Sequence, residues 1–117
     1  MYYKTGLGKK GEELAKQYLL KNNYQIIEQN FRTKLGEIDI IAKDKSELVF
    51  VEVKTRTNSQ YGEPCEAVDR TKIKHMIRAS EYYMYIKKLE NEYIRFDVIE
   101  VMFVNDKSTI NHIKQVI

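Results

Sequence analysis

The chain has 117 residues, with 20 Lys and Arg against 17 Asp and Glu, a formal net charge of +3 and 43% hydrophobic residues. That supplies one hydrophobic core and is too short for two ordinary domains, so a single domain over residues 1–117 is expected. The lone Cys65 excludes an internal disulfide framework. With no signal peptide or membrane-length apolar run, the expected setting is the cytoplasm, with no membrane partner. The charge balance permits nucleic-acid binding without requiring it.

In chain order, Leu14, Ala15, Tyr18 and Leu19 cluster at helical spacing and predict a helix from Gly8 to about Asn22. At roughly 100° per residue, Glu12 then lies at the edge of the apolar face and Glu13 nearly opposite it. Strands are predicted over Tyr24 to Phe31, Leu35 to Ala42 and Glu47 to Thr55, with Lys43-Asp44-Lys45-Ser46 as a hairpin turn between the last two. A loop through Gly62 and Pro64 follows. Asp69 can cap a helix from Arg70 to about Leu89, with Ile73, Met76, Ile77, Ser80, Tyr83 and Met84 along one side. Tyr93 to Val104 reads as a further strand and Ile110 to Val116 as a last one, joined by a turn at Asn105-Asp106-Lys107-Ser108.

The third predicted strand carries an anomaly. Side chains alternate along a strand, so Leu48, Phe50, Glu52 and Lys54 share one face and Val49, Val51 and Val53 the other. A run so rich in Val and Phe reads as a central strand, in which charges need partners. On the preceding strand Glu37 and Asp39 again share a face, and a hairpin can bring Asp39 beside Glu52. Two carboxylates at adjacent strand ends form an oxygen-rich pocket of the kind Mg2+ or Mn2+ prefers, and Lys54 beside them can meet an anionic substrate. The competing structural reading of Glu52 and Lys54 is a simple ion pair at a sheet end, and Glu-x-Lys alone is a weak motif. Asp39 on the neighbouring strand is what raises it.

Asp39, then a hairpin turn, then Glu52-Val53-Lys54 resembles the PD-(D/E)xK nuclease signature, although Ile38 stands where the superfamily name has Pro. The resemblance extends over nearly the whole chain. Gly8-Lys9-Lys10-Gly11-Glu12 with Ala15, Asn30-Phe31-Arg32, Gly36-Glu37-Ile38-Asp39, Phe50 to Lys54 with Arg56, Lys72, and Arg95-Phe96-Asp97-Val98 look like the YraN-type family of small bacterial proteins. That family is in turn similar to archaeal Holliday-junction resolvases. The resemblance implies a restriction-endonuclease-like α/β fold: a three-layer α/β/α core around a mixed sheet, in the order α-β-β-β-α-β with a further final strand.

The spacing and the resemblance together imply a metal-dependent endonuclease. Asp39, Glu52 and the Val53 carbonyl are the expected ligands of Mg2+ or Mn2+, Lys54 the group facing the reacting phosphate, and Glu37 a residue supporting the ligands from behind. The residues alone make Glu12 a helix N-terminal acid favoured by the macrodipole, and the resemblance makes it a further metal ligand. Arg56, Lys72 and Arg32 are the expected phosphate-backbone contacts. Nucleic acid, branched or flapped DNA above all, is the expected partner. A homodimer is expected by analogy, since a symmetric junction needs two cuts. Two other readings are a non-catalytic nucleic-acid-binding module in repair or recombination, and a metalloenzyme acting on a smaller phosphate ester. Arg95 with Asp97 reads as a structural ion pair, His75 and His112 lack metal-ligand spacing, and Tyr82, Tyr83 and Tyr85 are read as core or interface rather than site.

Overall fold

Short turns join most strands into hairpins, and the single long connection, which carries the second helix, makes the sheet mixed. The computed structural model describes residues 6–57 and 70–117. The elements are α1 (Gly6–Lys21), β1 (Gln25–Arg32), β2 (Glu37–Asp44), β3 (Glu47–Arg56), α2 (Arg70–Lys87), β4 (Tyr93–Val104) and β5 (Lys107–Ile113). The strands lie in the order β1-β2-β3-β4-β5, with β3 and β4 parallel and the other neighbours antiparallel. The expected Gly62–Pro64 loop, Cys65 and the Asp69 cap lie outside the described residues.

The helices sit on opposite faces of the sheet. Ala15 and Leu19 of α1 pack with Ile40, Ala42, Val49, Val51, Ile99 and Val101, while Ala79 and Tyr83 of α2 pack with Ile41, Leu48 and Phe50. Alternation along β3 therefore assigns Val49, Val51 and Val53 to the α1 side and Leu48, Phe50, Glu52 and Lys54 to the α2 side. This is the three-layer α/β/α arrangement with a mixed central sheet expected of a restriction-endonuclease-like fold.

Element ends differ from expectation where turn chemistry is tighter than composition suggests. Lys43 and Asp44 belong to β2, because Asp44 pairs with Glu47 and leaves only Lys45 and Ser46 to turn, with Lys45 at a φ of 56°. In the last hairpin Asn105 and Asp106 both take positive φ, 48° and 63°. A two-residue turn of this kind matches the strand twist, so β5 starts at Lys107, three residues before the expected Ile110, and ends at Ile113. Helix α2 buries Met76, Ala79, Ser80 and Tyr83, while Ile73, Ile77 and Met84 are only half-buried.

Two glycines set how closely the layers approach. A Cβ on Gly11 would overlap the Thr55 side chain, so only glycine lets α1 lie this close to the end of β3. One on Gly36 would stand 2.6 Å from the His75 carbonyl oxygen, at the point where the β1–β2 hairpin presses on α2.

On the α1 side the expected Arg95–Asp97 ion pair is the centre of a larger network. Arg95 donates to both Asp97 oxygens, 2.9 and 3.0 Å, to Asp44 at 3.1 Å, Glu47 at 3.0 Å and the Tyr24 hydroxyl at 2.7 Å. Asp97 also takes the Gln115 amide at 3.1 Å and lies 2.7 Å from His112 Nε2, whose Nδ1 is 3.0 Å from the Tyr18 hydroxyl. With Nε2–H donating to Asp97, Nδ1 accepts from Tyr18. Burial alone would raise the Asp97 pKa, but hydrogen bonds from His112, Arg95 and the Gln115 amide bring it below the ordinary carboxylate value. A lowered folded-state pKa means that this stabilisation is complete above the ordinary carboxylate range and fades as pH falls through the lowered value. Asp97→Asn leaves Arg95 under-compensated in the interior. It is expected to lower the unfolding free energy at neutral pH by about 3–5 kcal/mol, read by urea denaturation, with the deficit shrinking in acid.

Candidate active site

The site begins where the β2–β3 ladder stops. Pairing runs from Asp44 and Glu47 to Ile40 and Val51, and beyond it the Val53 amide donates to Asp39 Oδ2 at 2.8 Å, so a side chain fills the place of a main-chain acceptor. The strands are irregular at this level. Asn30, opposite Asp39 in the β1–β2 register, has a φ of 53°, and Ile38 packs in the same cluster as Ile41 although a strict period of two would separate them. Asp39 and Glu52 are thereby held close together out of solvent, 5% and 3% exposed.

Two like charges so placed cannot both ionise cheaply. Burial, followed by the negative charge of Asp39 and a hydrogen bond to it, pushes the Glu52 pKa up to about 8. The opposing influence is Lys72, whose Nζ lies 3.1 Å from Glu52 Oε2. Lys54 Nζ stands 4.0 Å from the same oxygen. The centre is thus a carboxylate pair whose burial and mutual repulsion favour a shared proton, flanked by two lysines.

The other expected site residues are distributed around this pair. Glu12 is buried, and the contact of Gly11 with Thr55 brings it to the end of the sheet that holds Lys54. Among the described residues, no three acidic, His or Cys side chains converge as a ready-made cation site. Glu37 forms an ion pair with Arg32 across the hairpin, at 4.0 Å, and the irregularity at Ile38 breaks the alternation that would align it with Asp39. Arg56 Nε donates to the buried Glu100 at 2.7 Å, which makes it a cation of the β3–β4 seam. Lys72, expected from the sequence as a phosphate contact, pairs with Glu52, a partner not expected for it. The signal lay in its position one turn into α2, in the same layer as Glu52. The Val53 amide bond to Asp39 had no signal in composition.

Fold and site together define a mixed-sheet α/β/α protein with a buried carboxylate pair flanked by lysines. The family model described as "Uncharacterised protein family UPF0102" matches residues 11–101, and the chain belongs to that family, so the YraN-type resemblance holds at the family level. The chain is 48% identical over 107 residues to the UPF0102 protein of Caldicellulosiruptor saccharolyticus, covering 92% of this chain and 90% of that one. It is 50% identical over 103 residues to a UPF0102 protein of Clostridioides difficile, covering 88% and 89%, and 46% identical over 106 residues to one of Clostridium perfringens, covering 91% and 87%. The matched region contains Glu12, Asp39, Glu52, Lys54 and Lys72.

A carboxyl whose folded-state pKa is raised from 4.5 to about 8 favours folding in acid and opposes it progressively as pH rises between those values. Metal-free protein should therefore lose stability from about pH 5 to pH 8, and Glu52→Gln should flatten that slope, melting at least about 4 °C above wild type at the alkaline end. Parallel melting curves across the range would refute the shared proton.

Proposed function

We propose that this chain is a metal-dependent endonuclease hydrolysing phosphodiester bonds of nucleic acid, with branched or flapped DNA as the expected substrate. The observation that carries this reading is the buried contact of Asp39 with Glu52. A structural ion pair needs one acid and one base, and Glu52 with Lys72 at 3.1 Å would satisfy it. Burial, and then the charge of Asp39 beside it, push the Glu52 pKa up to about 8, so the added acid costs stability. Perturbed acids of this kind mark sites whose charge is used for chemistry.

The donor set suits a hard divalent cation: two carboxylates in contact and a main-chain carbonyl, all oxygen. Asp39, Glu52 and the Val53 carbonyl would hold Mg2+ or Mn2+, with Glu12 contributing from α1 directly or through water. Such an ion, when bound, polarises the phosphodiester and acidifies a bound water. The chain's own residues supply the rest. The Val53 amide, donating to Oδ2, fixes the Asp39 carboxylate beside Glu52. Lys54, half-buried on the face of Glu52, orients the attacking water or stabilises charge growing on the phosphate oxygens. Lys72 opposes repulsion between the acids and an incoming phosphate, and Arg32 extends the positive surface along the strand path. Arg56 acts behind Lys54 through Glu100. Glu37 tunes the same rim through Arg32. A homodimer would supply the two cuts a symmetric junction needs.

Cleavage of labelled single-stranded, duplex, flapped and four-way-junction DNA with Mg2+ or Mn2+ tests the reading. Wild type is expected to cut at least one of them, and Asp39→Ala and Lys54→Ala each to lose at least about a hundredfold in rate. A wild type that binds but never cuts, with both variants binding equally well, would replace the enzyme by a nucleic-acid-binding module.

A further inference from the structure

A groove of about 660 Å3 opens on the α2 side of the molecule, lined among the described residues by Arg32, Thr33, Lys34, Leu35 and Tyr82. Its apolar surfaces are open to solvent, with Leu35 49% and Tyr82 47% exposed. Both are nevertheless held firmly. The Tyr82 ring stacks on Phe31, with centroids 6.4 Å apart and planes 28° from parallel, and Phe31 is itself wedged edge-on against the buried Tyr83 at 5.1 Å. The hairpin tip is fixed by the Thr33 hydroxyl, which accepts from the Leu35 amide at 2.9 Å and the Gly36 amide at 3.0 Å, and by the close seat of Gly36 on His75. The groove is therefore preformed, with a flat aromatic wall and an aliphatic wall, and two cations on its rim.

We propose that this groove takes an unpaired nucleobase of single-stranded nucleic acid, stacked on Tyr82, with Lys34 and Arg32 on the flanking phosphates. The proposal rests on the endonuclease reading and adds to it a requirement for an unpaired segment beside the cut. Charge complementarity selects a polyanion, and the aromatic platform selects one with exposed flat faces; in a duplex those faces are already stacked on each other. The groove shares the α2 layer with the carboxylate pair. Ten residues separate Lys72 from Tyr82, so α2 advances about 15 Å between Glu52's partner and the groove, a short stretch of extended strand. Of the three tyrosines clustered in α2, Tyr83 is core and Tyr85, 75% exposed, lies outside this groove.

The test is fluorescence anisotropy without divalent metal, using labelled oligothymidylate, oligouridylate, an abasic deoxyribose-phosphate strand of equal length and a blunt duplex. Tyr82→Leu, which keeps an apolar side chain against Phe31 but no stacking face, is expected to weaken oligothymidylate binding by about five- to a hundredfold, with abasic and duplex binding unchanged within about twofold. Tyr82→Phe should bind like wild type, as should Tyr85→Leu. A parallel loss on oligouridylate assigns the groove to unpaired bases of either nucleic acid, and a loss on oligothymidylate alone assigns it to the deoxythymidine strand. The proposal is overturned if Tyr82→Leu binds oligothymidylate and oligouridylate as wild type does, or loses the abasic strand equally. If wild type cuts DNA while Tyr82→Leu is indifferent in binding, only the groove assignment falls. If wild type neither binds nor cuts any nucleic acid, both readings fall.

Discussion

The arrangement on which the rest of this structure depends is the contact between Asp39 and Glu52, two acids on neighbouring strands closed off from water. Each would be solvated and ionised on an exposed edge. Here the β2–β3 ladder stops at Ile40 and Val51, the Val53 amide turns to Asp39, and Glu52 is left with a raised pKa. The strands on either side are filled with Val, Ile and Phe that pack on both faces, and that packing supplies the stability needed to hold an unfavourable pair in place. The acids sit past the paired stretch of β2 and β3, whose other positions are spent on the two cores.

Helix α2 works as the platform for everything that surrounds the pair. Its first turn carries Lys72 to Glu52, its middle buries Met76 and Ala79, and its later turns present Tyr83 inward and Tyr82 outward. The β1–β2 hairpin leans on it at Gly36, which fixes the wall opposite Tyr82. Helix α1 sets the frame on the other face: Gly11 lets it reach the end of β3, and Tyr18 joins the Arg95–Asp97–His112 network there. Loss of charge balance in that network would weaken the sheet without touching Asp39 or Glu52 directly.

Much of this was legible in the sequence, for identifiable reasons. A period of two along Leu48 to Lys54 located the strand, its two faces and the polar pair, because a central strand leaves charges no other explanation. Element order followed from the alternation of strand-like and helix-like runs, and Arg95 with Asp97 was read correctly as a pair from shared facing. Turn ends were misjudged at Lys43 and at Lys107, since polar composition marks the neighbourhood of a turn while the register of the strands decides which two residues make it. The partner of Arg56 was not legible, because Glu100 lies on a strand remote in sequence, whereas the place of Lys72 in the first turn of α2 did carry a signal for Glu52. Sorting Tyr82 from Tyr83 required knowing which side of α2 faces the sheet.

The most direct measurement of the central idea is calorimetric titration of Mn2+ into metal-free protein in buffers of different ionisation enthalpy, which counts protons as well as bound ions. The account predicts binding with release of about one proton near pH 7, as the proton shared by Asp39 and Glu52 gives way to the cation, and loss of both signals in Asp39→Ala and Glu52→Ala. Binding that persists unchanged in both variants, or no binding by wild type, would contradict it.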